Sequence, residues 1–165
     1  MTSADDAEYR STDDAECEPV PEHTACPSEQ FAGFTIGLAS GTTVHCFGAA
    51  SRGRTVALAK CSTAAPYVFS RQMGQQYLVH PRGREAECLS FTEGTSCELI
   101  VEPCAVGYHR RQLWLVDTMR AGEKTTLKNR KTGTCATPHS AQVGAKIGAA
   151  PCGASLQEFK LTRAD

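Results

Sequence analysis

Nine cysteines and five histidines are the side chains of this 165-residue chain with the most reactivity of their own, and their spacing decides what they can do. Cysteines set close together as Cys-x-x-Cys pairs hold zinc or exchange disulfides. Here they are scattered, which points to structural disulfides and an oxidising compartment. His23, His45, His80, His109 and His139 are dispersed, with no His-x-x-x-His pair and no metal-like grouping with carboxylates, so a zinc centre is not expected. No nucleophile elbow or phosphate-binding loop is present either. The chain is read as non-catalytic, with no metal and no cofactor.

The elements that must position these cysteines recur. Cys46 and Cys61 lie 15 residues apart, Cys88 and Cys104 lie 16 apart, and Cys135 and Cys152 lie 17 apart. The first cysteines follow one another after 42 and 47 residues, the signature of an internal repeat. Five and three residues ahead of each second cysteine stand two apolar residues: Val56 and Leu58, Leu99 and Val101, Ile147 and Ala149. Alternation at period two puts both members of each pair on the same strand face, toward a core. A large aromatic follows each second cysteine by seven to ten residues, as Phe69, Trp114 and Phe159. A leucine precedes each first cysteine, as Leu38, Leu78 and Leu127. From about Phe34 the chain consists of short runs of Val, Leu, Ile, Thr and Phe broken by Gly, Ser, Asn and Pro, without a helical stripe, which is the texture of an all-β domain.

Charge divides the molecule. Residues 1 to 30 hold Asp5, Asp6, Glu8, Asp13, Asp14, Glu16, Glu18, Glu22 and Glu29 against Arg10 alone, giving −8. The rest is +7, because the whole chain has 17 basic and 18 acidic residues. The acidic segment carries Pro19, Pro21 and Pro27 and too little apolar surface to offset its ordering entropy, so residues 1–33 are read as an extended or disordered tail and 34–165 as the single domain. MTSADDAEYR shows no basic region followed by an apolar run; an exported chain would have lost its leader or use another route. No stretch approaches the roughly 18 apolar residues of a membrane span.

The cysteine-bracketed repeats resemble the ricin B-type lectin repeat, whose signature ends in Gln-x-Trp. That motif reads Gln112-Leu113-Trp114 in the second repeat and Gln157-Glu158-Phe159 in the third, while the first departs with Tyr67-Val68-Phe69. The resemblance spans roughly residues 34 to 163. It implies a β-trefoil with the aromatics in a shared core, and disulfides pairing Cys46 with Cys61, Cys88 with Cys104, and Cys135 with Cys152. Cys17 and Cys26 either close a loop in the tail, leaving Cys97 as a buried thiol, or Cys97 ties the tail down. An odd cysteine can also bond a partner.

The resemblance also implies sugar binding, and the residues argue against it. Sugar-binding repeats carry Asp two residues after the first cysteine, where this chain has Gly48, Ser90 and Thr137. They carry an aromatic two residues before the second, where it has Ala59, Glu102 and Ala150, and Asn before the Gln, where it has Pro66, Arg111 and Leu156. A relocated glycan site is read in the loop Tyr108, His109, Arg110, Arg111 and Gln112. The expected role is that of a secreted adaptor subunit, similar to the trefoil binding subunits of multi-component toxins, gripping a protein partner with its surface and with Glu16, Glu18, Pro19, Val20, Pro21 and Glu22. The acidic segment suits a basic groove, and Pro19-Val20-Pro21 favours an extended strand. A protease-inhibitor role, with Arg82-Gly83-Arg84 as the exposed loop, is a weaker alternative. Lys124, Lys128, Arg130 and Lys131 lack interleaved exposed aromatics, so no nucleic-acid partner is expected.

Overall fold

Each repeat folds into four strands because its apolar residues alternate and its turns are set by Gly, Pro, Asn and Ser. The computed structural model describes residues 30–39, 45–49, 54–93, 97–105 and 110–164. Cys17, Cys26, the segment from Glu16 to Glu22, Tyr108 and His109 fall outside the described residues. The first repeat comprises β1 (Gln30–Leu38), β2 (His45–Phe47), β3 (Leu58–Lys60) and β4 (Tyr67–Met73). The second comprises β5 (Gln76–Pro81), β6 (Glu87–Phe91), β7 (Leu99–Pro103) and β8 (Trp114–Val116). In the third, the opening strand is broken at Thr126 into β9 (Lys124–Thr125) and β10 (Leu127–Asn129), followed by β11 (Cys135–Pro138), β12 (Ile147–Ala150) and β13 (Phe159–Arg163).

The outer strands of the repeats pair into a ring. β1 pairs with β4, β4 with β5, β5 with β8 and β8 with β10, while β9 pairs with β13 and β13 returns to β1. Closure leaves no ring strand with an open edge. The fold is a β-trefoil. β1 begins at Gln30, ahead of the 33/34 boundary read from composition, and aligns Gln30 with Ser70 and Phe31 with Phe69 across the ladder.

The inner strands form three hairpins, β2–β3, β6–β7 and β11–β12, each carrying one disulfide. Cys46–Cys61, Cys88–Cys104 and Cys135–Cys152 are all formed. The hairpins are joined pairwise into a triangular cap by bridges Thr55–Ile100, Glu98–Gly148 and Ala57–Lys146. At its centre the Val56 amide donates to the Leu99 carbonyl at 2.8 Å and the Ile147 amide to the Val56 carbonyl at 3.3 Å. Val56, Leu99 and Ile147, the residues five ahead of each second cysteine, are completely buried there.

Phe69, Trp114 and Phe159 fill the shared core. Trp114 meets Phe91 edge-on with centroids 5.0 Å apart, and Phe159 meets Phe47 at 5.2 Å. Phe47, Leu89 and Ala136, each following a first cysteine, form a second buried triplet that the sequence markers did not include. Leu78 is half-buried on the outer side of β5; Val79 takes the core position because the strand registers Phe69 against Val79. Cys97 is half-buried and packs against the core.

Candidate functional site

The first residue of each closing motif, Tyr67, Gln112 or Gln157, is tied into its own repeat. Gln157 is buried and its amide is fully used by its own repeat. Its Oε1 accepts from the Gly153 and Ala154 amides at 2.8 and 3.1 Å, and its Nε2 donates to Thr137 Oγ1 and the Pro151 carbonyl, both at 2.9 Å. Leu156, before it, keeps a left-handed backbone (φ 64°) of the kind Asn tolerates, without an Asn head. In the first repeat Tyr67 does the same work: its hydroxyl donates to the Gly48 carbonyl at 2.7 Å, and burial raises its phenol well above the ordinary range. Gly48 is tightly placed, since a Cβ there would lie 3.0 Å from the Ala57 carbonyl oxygen and 3.1 Å from the Ala59 Cβ, so an acidic acceptor would require the facing strand to give. Gly48→Asp is expected to cost about 1–2 kcal/mol by overpacking, read as a lower urea midpoint, without creating galactose affinity.

The second repeat is built differently. Gln112 Oε1 accepts from the Ala105 amide at 2.9 Å, and Nε2 donates to the Pro103 carbonyl at 3.0 Å and to Glu102 at 2.8 Å. Gln112 is therefore part of the scaffold and is not turned to solvent as a ligand residue. Glu102, in the place of the stacking aromatic, also takes the Arg111 guanidinium at 3.3 Å, and Arg111 reaches Glu93 at 2.7 Å. Asn129 fixes both sides of the adjoining loop. Its Nδ2 donates to the Arg111 carbonyl, and its Oδ1 accepts from the Lys131 and Thr132 amides.

These contacts frame a pocket of about 280 Å³ lined by Phe91, Thr92, Glu93, Cys97, Arg111, Lys131 and Thr132. Arg111 is already paired with Glu93 and Glu102, so the pocket offers Lys131 and two threonine hydroxyls beside that ion pair, over a buried aromatic floor, and suits a small hydroxylated ligand. Of the loop read as a relocated site, Arg111 lines this pocket and Arg110 is exposed at the start of a short 3₁₀ turn, Arg110–Gln112. Glu93, Thr92 and Thr132 were not singled out from sequence. The signal for them is the pair Glu102 and Arg111, two losses from the lectin pattern that are complementary in charge.

Burial alone would raise the Glu102 carboxyl, but hydrogen bonds from Gln112, Ser90 and Arg111 and the Arg111 charge outweigh it and hold the group below the usual carboxylate range. A depressed folded value contributes stability above the unfolded value, about pH 4.3, and loses it as pH falls through the folded one. Glu102→Gln is expected to cost about 1 kcal/mol at pH 7 and to flatten the part of the acid-side decline that Glu102 causes, read from urea melts between pH 7 and 3. An unchanged decline would show that Glu102 carries no such linkage.

Arg82-Gly83-Arg84 forms a closed turn, with the Arg84 amide donating to the Pro81 carbonyl at 3.0 Å and Gly83 at φ 88°. Lys124 pairs with Glu158 at 3.6 Å, while Lys128 and Arg130 are exposed.

The resemblances of this fold lie in structure. No protein-family model and no curated protein matches the chain at the sequence level. Among solved structures it is similar to ThreeFoil, a designed three-fold symmetric protein, with TM-score 0.62 and 15% identity over 80% of this chain and 99% of that one. It is similar to a mosquitocidal holotoxin, with TM-score 0.63 and 11% identity over 85% of this chain and 18% of the toxin. It is also similar to the Polyporus squamosus lectin, solved with a sialylated epitope, with TM-score 0.63 and 11% identity over 84% of this chain and 50% of the lectin. The chain thus spans under a fifth of the holotoxin and half of the lectin. At these identities the likeness establishes the trefoil scaffold.

Proposed function

We propose that this chain is a non-catalytic, secreted recognition subunit that holds another protein through its polar trefoil surface and acidic N-terminal segment, as an adaptor within a multi-component assembly of the toxin type. The observation that supports this reading most is that the sugar-contacting positions hold other groups: Gly48 is hemmed in by Ala57 and Ala59, Glu102 is tied to Arg111 and Gln112, and Leu156 stands where an Asn head would be. Among the described residues Val143 is the only large apolar side chain left exposed, so recognition rests on charge and hydrogen bonds. Three disulfides favour an extracellular setting, and no helix among the described residues is long and apolar enough to cross a membrane. The test compares partner capture from the native secretome by the full chain and by a chain starting at Gln30, which keeps β1 intact. Equal recovery by both removes the acidic segment from the interface.

The pocket beside Arg111 favours a second reading, a lectin with a relocated site. A glycan array on the full chain separates the two. Micromolar binding that is lost in Arg111→Ala would replace the adaptor reading, and silence across the array supports it. Protease inhibition is the weakest reading, because inhibitory segments insert as extended chain and Arg82-Gly83-Arg84 is a hydrogen-bonded turn.

A further inference from the structure

His80 is buried on β5, and neither reading of the function uses it. Its Nε2 lies 3.0 Å from Ser70 Oγ, and its Nδ1 lies 3.0 Å from the Glu87 carbonyl oxygen. With a carbonyl as partner, Nδ1 carries the proton and Nε2 accepts from the serine. The same Nδ1 stands 3.7 Å from Cys88 Sγ and 3.6 Å from Cys104 Sγ, so an imidazole faces both sulfurs of the middle disulfide. Among the described residues this is the one group of three metal-ligating side chains whose ligand atoms converge.

From these contacts we propose that reduction of Cys88–Cys104 turns this cluster into a zinc site, with the two thiolates and His80 Nδ1 as ligands and a water in the fourth position. Bond lengths of about 2.3 Å to sulfur and about 2.0 Å to nitrogen at tetrahedral angles put nitrogen and sulfur about 3.5 Å apart. Both nitrogen–sulfur edges already stand near that value; the sulfurs have to part once their bond is broken, and the Glu87 carbonyl, which now takes the Nδ1 proton, has to turn away to admit the metal. Two small-molecule thiols supply two electrons and two protons and leave as their own disulfide; the zinc ion then displaces the two cysteine protons. The His80 ring proton moves from Nδ1 to Nε2 and is donated to Ser70 Oγ, an outer partner of the kind that fixes a ligating histidine. Short-range spacing conceals the site because His80 lies eight residues before Cys88 and 24 before Cys104. It is separate from the pocket beside Arg111 and does not depend on the proposed function.

The test reduces the full chain anaerobically with a phosphine, adds Co²⁺ as a spectroscopic probe, and then competes with Zn²⁺. The fluorescence of Trp114, the only tryptophan, reports folding in the same repeat. The expected result is one Co²⁺ per chain with a thiolate charge-transfer band, retained in Cys135→Ser/Cys152→Ser and abolished in Cys88→Ser/Cys104→Ser. His80→Gln is expected to weaken binding by about 100-fold. A reduced chain that keeps Trp114 buried but shows no band overturns the proposal. So does a band indifferent to His80→Gln, or a reduced chain whose lost Trp114 burial Zn²⁺ does not restore.

Discussion

Replacing Trp114 with alanine is expected to remove about 3–5 kcal/mol of folding stability, the largest effect of any single substitution considered for this chain. Trp114 is essentially inaccessible, meets Phe91 edge-on, and donates its indole N–H to the Leu89 carbonyl at 3.1 Å. Truncation would leave a cavity in the shared core, where packed neighbours limit collapse, and would strand a buried carbonyl. Trp114→Phe keeps most of the ring volume but loses the donor together with part of the indole, for about 2 kcal/mol. Urea melts followed by circular dichroism give both values. A loss below about 1.5 kcal/mol for the alanine variant would mean that the core does not depend on this residue.

Gln157→Ala is expected to cost about 3 kcal/mol, which is unusual for a polar residue in a motif associated with ligands. Its two amide acceptor contacts serve the Gly153 and Ala154 N–H groups beside the third disulfide, and its donor contacts serve Pro151 and Thr137. Removing the side chain leaves several of these groups without partners, at about 1–3 kcal/mol for each that water cannot reach. Gln157→Glu keeps the acceptors and reverses the donors, so it should fall between wild type and alanine. If both variants melt with wild type, the third repeat does not depend on Gln157 to hold its own turn.

The scaffold was legible in the sequence because disulfides and core aromatics recur at positions fixed by strand geometry. Cysteine spacing marks the ends of each inner hairpin, and alternation marks Val56, Leu99 and Ile147 as buried. The core position of β5, Val79, was not singled out, because β5 buries residues on both faces and a strand covered on both sides erases the period-two signal. The broken strand at Thr126 also escaped notice, since nothing local distinguishes it from a continuous one. The pocket was only half legible. Arg111 was marked by its loop, but Glu93, Thr92 and Thr132 reach it from distant parts of the chain. His80 belongs to the same class, because its neighbours in space are not its neighbours in sequence.

The ring of strands also fixes where the chain opens. β1 and β13 lie side by side from Phe34–Arg163 to Leu38–Phe159, and the Ala164 amide donates to the Gly33 carbonyl at 2.8 Å. Topologically the molecule is a closed loop with one nick, and both loose ends leave at that nick. The two described ends, near Gly33 and Ala164, therefore meet at a single point on the rim. The nick itself is movable in principle. Joining the ends and cutting at the exposed turn around Gly122 would keep every barrel pairing, place the new ends at a different corner of the triangle, and leave the acidic segment as the linker across the old nick.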